Sequence, residues 1–459
     1  MNAELLRNFW LELTPSRLLL APVVIAAILL VVWYSNDRSA TEVTLTARFI
    51  FYVLVLLWGT RRAANALSDE VATGTWDAQR MTALGPWSMA WGKFVGGTIY
   101  VWYSALLALA IGVIMDPAPL TALDRFAGIF GPILTGMAAM LASYFVVLLH
   151  LRRPRGSGRR TSLLAQLAGI VVGLVGWNID VQLTAPIEDF VGPGSVDWYG
   201  YAFHETAVVL ATQALLTFWL GFGVYRVMCG ELQKPTWPWG WPAASLFIIA
   251  YLLGFMLPLE PGRPTTLALV PAAVVSVVLL YAALLGDGKD GIKLRWFMRS
   301  LASGDFGRTA RLFPTWLFSI LLATVTVMAL AIVGPDDPRT ALTDFYREFL
   351  GRTEWNIRSH VAWAAAMILF MARDTVLVLY LSMATRTRAP DVAAIVLLAT
   401  AYGVLPLLLA FVGLDWLLAI VVPWPFAHPA VTLAGPFVTL LPLLWLLMGR
   451  WRALAPRPA

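Results

Sequence analysis

Stretches of roughly twenty apolar residues, one after another, decide what this chain can be. Twelve can be marked off, at 18–34, 49–66, 94–115, 129–150, 162–179, 206–228, 242–258, 265–285, 314–333, 361–383, 392–414 and 431–448. In hydrocarbon such a segment has one stable solution. A helix satisfies every backbone N–H and C=O within itself, and an open strand does not. The chain therefore reads as an all-α polytopic membrane protein of about twelve transmembrane helices. Composition agrees, because 59% of its 459 residues are hydrophobic and 13% charged, against about 45–50% and about 25% in soluble domains. An ordinary soluble enzyme, a disordered chain and a secreted disulfide scaffold are excluded. A single cysteine, Cys229, leaves no internal disulfide and no cysteine metal cluster. Residues 1–17 carry Glu4, Arg7, Glu12 and Arg17 up to the first run. No small-residue cleavage site follows, so the segment reads as something other than a cleavable signal peptide.

The cations set the expected orientation. With a cytoplasmic N-terminus, the inner segments hold 24 of the 33 Lys and Arg, and the outer ones hold 8. The remaining one, Arg373, falls inside a run. The inner clusters include Arg152, Arg153, Arg155, Arg159 and Arg160, and Lys289, Lys293, Arg295, Arg299, Arg308 and Arg311. Both termini are expected inside. The net charge of +6 and pI near 9.5 then record topology, and no nucleic-acid partner is expected. Tryptophans such as Trp33, Trp87, Trp91, Trp102, Trp198, Trp237, Trp239 and Trp241 are expected at headgroup level.

Few residues carry chemistry. The Gly-Lys pairs, Gly92-Lys93 and Gly288-Lys289, lack the Ser or Thr of a nucleotide-binding loop, so no ATP hydrolysis is expected on this chain, and no catalytic residue is assigned. His150, His204, His360 and His428 fall at run boundaries without metal-ligand spacing. Segment 180–205 holds Asp180, Glu188, Asp189, Asp197 and Glu205 and no Lys or Arg. It reads as a solvated outer loop or as a partly re-entrant element. Arg373 and Asp374 lie deep in a run, where each charge costs at least about 2.5–3.5 kcal/mol. They are expected to pair, to face a bundle interior, or to line a wet cavity for gating or substrate passage.

The most informative segment is the inner loop at 67–93. It contains Asp69 and Glu70, then Gly74, Thr75, Trp76, Asp77 and Arg80, then Leu84, Gly85 and Pro86, then Gly92 and Lys93. Gly74 is expected to end one helix. Thr75 is expected to cap the next, with Asp77 in its first turn. The product is a short helix lying across the membrane face. In this respect the chain resembles the membrane permeases of ABC exporters of the type-2 superfamily, the type V exporter fold. Those carry Glu, then Gly-Thr, then a Leu-Pro-like turn, then Gly-Lys between their second and third spans. The matching residues are Glu70, Gly74, Thr75, Leu84, Pro86, Gly92 and Lys93. The resemblance implies a coupling helix that docks on a separate ATP-binding subunit, two copies per complex. ATP and magnesium then sit on that partner, with no cofactor on this chain. It also implies a bacterial inner (cytoplasmic) membrane location and an amphipathic helix before the first span, which 2–14 fits. A homodimer of permease chains is compatible with it.

The resemblance covers the first half of the chain, and two features depart from it. Pro86 falls one or two places late, and twelve runs stand where six are usual. The chain divides on this reading into a permease unit at 1–230, two additional spans at 231–285 and a permease-like unit at 286–459. The last is a surface helix followed by four spans. The second unit reads as a degenerate parallel repeat of the first. Arg373 lies 312 residues after Arg61, and the turn at Arg386 and Arg388 falls opposite 74–76 as a second coupling candidate. The competing function is a twelve-span secondary transporter driven by an ion gradient, with Arg373 and Asp374 as its coupling pair.

Overall fold

The computed structural model describes residues 3–82, 84–117, 121–151, 158–184, 194–234, 236, 238–257, 266–286, 291–333, 360–383, 390–414, 417–424 and 428–453. It is an all-α polytopic membrane protein. Eleven of its described helices are long and apolar enough to cross a bilayer. The twelfth expected span is the helix Gly240–Gly254. At 15 residues and about 1.5 Å per residue it covers about 23 Å, less than a bilayer core of about 30 Å.

The chain forms two compact units, 1–196 with 202–236 and 197–201 with 237–459. The segment 231–285, expected as a separate pair of spans, is divided at this boundary. Its helices Gly240–Gly254 and Thr266–Gly286 pack inside the second unit.

The first unit opens with α1 (Ala3–Glu12), a surface helix, then α2 (Pro15–Ser35). The second span is longer than the apolar run suggested. It runs as α3 (Ala40–Val53), a π-helical segment at Leu54–Gly59, and α4 (Thr60–Ala72). Ser39 caps its start by accepting from the Glu42 N–H at 3.4 Å. After α5 (Thr75–Gln79) come α6 (Pro86–Ile114), α7 (Ala122–Leu151), α8 (Gly158–Thr184) and α9 (Glu205–Glu231). Pro15 and Pro86 open their helices, where a missing N–H costs nothing. The core joins Phe51, Val55 and Leu67 to Met89 and Phe94 of α6 and to Met140, Tyr144 and Leu148 of α7. On α8, Gly169, Gly173 and Gly176 lie on one face. A Cβ on any of them would collide with Ser143, Leu56 or Thr135. Small residues of this kind let membrane helices approach closely.

The second unit contains α10 (Gly240–Gly254), α11 (Thr266–Gly286), the surface helices α12 (Gly291–Ala302) and α13 (Phe306–Leu312), and α14 (Thr315–Val333). It continues with α15 (His360–Ser382) and α16 (Pro390–Ala399), then a π-helical segment at Thr400–Val404. Last come α17 (Leu405–Phe411), α18 (Leu418–Val421) and α19 (Pro429–Ala453). Leu280 and Leu284 of α11 pack with Ala323 and Val327 of α14 and with Trp363 and Met371 of α15. Four helices long and apolar enough to cross a bilayer follow residue 286 among the described residues.

Candidate functional site

The loop between the second and third spans is built around one buried lysine. Gly74 takes the left-handed conformation, φ 74°, which costs a Cβ-bearing residue about 1–2 kcal/mol. Gly74 itself occupies the N-cap of α5, the place expected for Thr75. Thr75 is the first helical residue, and its hydroxyl turns back to donate to the Glu70 carbonyl at 3.2 Å. The left-handed turn explains the difference, since it reverses the chain one residue early.

Successive residues of α5 then part company. Trp76 and Gln79, three apart and so on one face, turn inward. Trp76 joins the core with Met89 and Phe94. Asp77, Ala78 and Arg80 stay exposed, and Asp77 pairs with Arg80 at 3.1 Å.

The Lys93 side chain on α6 is 1% exposed. Its ammonium donates to the Glu70 carboxylate and to Gln79 Oε1, and it stands 5.6 Å from the Trp76 ring centre. Glu70 also accepts from Gln79 Nε2 at 3.1 Å and from Arg7 Nη2 at 3.1 Å. Glu4 lies 3.9 Å from the same ammonium. A buried charge is tolerated only when paired and hydrogen-bonded, and here the pairing ties α1, α4, α5 and α6 together. Pro86 and Gly92 are buried along the same helix start. Glu70 and Lys93 thus brace the loop from within. The outward face is left to Thr73, Asp77, Ala78, Arg80, Met81 and Thr82, with Met81 84% exposed.

Arg7, Glu4 and Gln79 escaped the sequence reading. The first two lie on the amphipathic helix, and only a three-dimensional fold brings that helix onto the loop. Gln79 was legible in principle, as the residue three places after Trp76.

The intramembrane charges of the second unit meet as a pair. Asp374 is fully buried. Its Oδ1 accepts from Arg373 Nε at 2.8 Å, and its Oδ2 accepts from the Tyr281 and Tyr402 hydroxyls at 2.6 Å each. Arg373 also donates from Nη2 to Tyr402 at 3.0 Å, and its guanidinium lies 4.5 Å from the Phe370 ring centre. Tyr402 sits in the π-helical segment. Arg61, the expected counterpart of Arg373, is exposed, so the 312-residue offset joins residues in unlike surroundings. Arg386 and Arg388 lie outside the described residues.

A third cluster corrects the sequence reading. Asp180, assigned to an outer loop, belongs to α8 and is buried. It accepts from the Tyr52 hydroxyl at 2.5 Å, Thr135 Oγ1 at 3.0 Å and Gln213 Nε2 at 2.8 Å. The apolar run ends just before the carboxylate, yet the helix continues to Thr184 because these donors receive the charge. Tyr52, Thr135 and Gln213, polar residues inside apolar runs, were the available signal. Residues 185–193 of the same expected loop lie outside the described residues.

Compared with known proteins, the chain matches no family model, no curated protein and no solved structure.

Proposed function

We propose that this chain is the membrane-spanning permease subunit of an ATP-driven exporter, engaging a separate ATP-binding subunit through the 67–93 loop. One observation carries the reading. A five-residue helix is clamped from beneath by Lys93, Glu70, Gln79 and Trp76, while its other face, continued by Met81, stays open. An element that passes a partner's movement into a bundle needs stiffness at its root and a free contact surface. The clamp supplies the first and Asp77, Arg80 and Met81 supply the second. The energy enters as a partner's differential affinity for two bundle conformations, so the permease needs no nucleotide of its own. On this reading the loop faces the cytoplasm of a bacterial cell, and two ATP-binding subunits serve each complex.

The second reading, a gradient-driven secondary transporter, draws on the buried Arg373, Asp374, Tyr281 and Tyr402 group. Intramembrane ionisable residues are a common mark of ion pathways. Affinity purification of the intact chain in mild detergent separates the two. The exporter reading expects a Walker-motif ATPase to co-purify with the wild type, and to be lost when Met81 is changed to Glu. Transport by the chain alone, driven by an ion gradient and indifferent to Met81→Glu, overturns it.

A further inference from the structure

The Asp180 cluster takes no part in the coupling loop, yet it has the parts of a binding site. Three neutral groups from three helices converge on one carboxylate: Tyr52 of α3, Thr135 of α7 and Gln213 of α9. Arg48 acts on it electrostatically and is itself engaged with Asp116 at 2.9 Å. Gln213 is 6% exposed, and its amide donates to Asp180 Oδ1 at 2.8 Å and to Thr135 Oγ1 at 3.2 Å. Its other end, Oε1, is buried with no hydrogen-bond partner, an uncommon and costly state for an acceptor. Gly131 of α7 lets the carboxylate and the amide approach its backbone closely. A methyl on it would stand 2.9 Å from Asp180 Oδ1 and 3.5 Å from Gln213 Oε1.

Two acceptor oxygens near one glycine, one of them without a donor, call for a proton. The amide offers a simple way to accept it. A glutamine end group has a donor side and an acceptor side of nearly the same shape. With Asp180 ionised, the donor side faces the carboxylate, as observed. With Asp180 protonated, a half-turn of the amide presents Oε1 to the new O–H. One amide atom is left over in either state, so the turn sacrifices little. A π-helical segment begins at Leu54, two residues after Tyr52, and such segments often mark functional positions in helices.

We propose that Asp180 is a reversible proton-binding site within the first unit, with the Gln213 amide turning to complement each protonation state. The oxygen ligands in view, Asp180 Oδ1 and Oδ2, Gln213 Oε1 and Thr135 Oγ1, number fewer than the six to eight of a calcium-type shell, which favours the proton over a metal cation. The site is independent of the exporter reading and stands or falls without it.

The test is infrared difference spectroscopy on the full chain in liposomes, taken between alkaline and acidic pH in potassium buffer. The expected result is a protonated-carboxyl stretch that rises on acidification, titrates as one proton and is missing in Asp180→Asn. Subtracting the Asp180→Asn spectrum removes the contribution of Asp374. Tyr52→Phe deletes a donor to the ionised form, so the band should persist about one pH unit further toward alkali. This shift keeps the assignment testable if Asp180→Asn fails to fold. Absence of any Asp180- or Tyr52-dependent band overturns the proposal. So does a band that sodium abolishes at constant pH, which would assign the site to a metal cation.

Discussion

Lys93 is the residue on which the loop depends. Its ammonium is out of water, so removing it leaves Glu70 with a weaker set of donors and an empty space beneath Trp76. Lys93→Met should lower unfolding stability by about 3 kcal/mol, read as a fall in the denaturation midpoint of the purified chain. Lys93→Arg should recover only part of it, because a planar fork does not fit a site shaped for three diverging donors. Gly74 offers a smaller test of the same corner. Gly74→Ala should cost about 1–2 kcal/mol at φ 74°, and Gly74→Asn, which tolerates that region, should cost less. The sequence made both residues conspicuous, Gly74 as a helix end and Lys93 as the close of a motif. It did not show that Lys93 faces inward, since a lysine near a span boundary is ordinarily assumed to reach for headgroups.

At the scale of elements, the long apolar helices were legible because hydrocarbon leaves the backbone no other choice. Their ends were less so. The second span reaches Ala72 rather than ending at Ala66, and α8 runs past Asp180 to Thr184. In both places the fold supplies a charge with partners: Glu12 for Arg62, and Tyr52, Thr135 and Gln213 for Asp180. Polar partners from distant helices leave no local mark in a sequence. The pair on α15 carries a prediction of its own. Arg373→Leu strands a buried carboxylate and should cost about 3–5 kcal/mol, whereas Arg373→Leu with Asp374→Leu should recover most of that loss. A double-mutant cycle on thermal stability gives the coupling directly. Additive costs would mean that Tyr281 and Tyr402 alone hold Asp374.

For the whole molecule, orientation is the first thing to establish, and the chain is suited to it. Its one native cysteine, Cys229, is buried, so an introduced thiol reports with little background. Asn36→Cys, in the turn after α2, should react with an impermeant reagent in intact cells. Met81→Cys should react only after the membrane is opened. The reverse pattern would place the 67–93 loop outside and remove the basis of the exporter reading. The sequence makes this expectation because its cations sort unevenly between alternate segments. It does not mark the exposed face of the 67–93 loop, because the motif residues Glu70 and Lys93 are turned inward and the exposed ones, Arg80 and Met81, are chemically ordinary. The most direct measurement is therefore a photo-activated crosslinker placed at Met81 in native membranes. The account expects a crosslink to an ATP-binding protein, strengthened or weakened by nucleotide, and no such product from a crosslinker at Leu19 on the exposed face of α2. A crosslinker at Met81 that captures only lipid, in cells where the chain still transports, would contradict it.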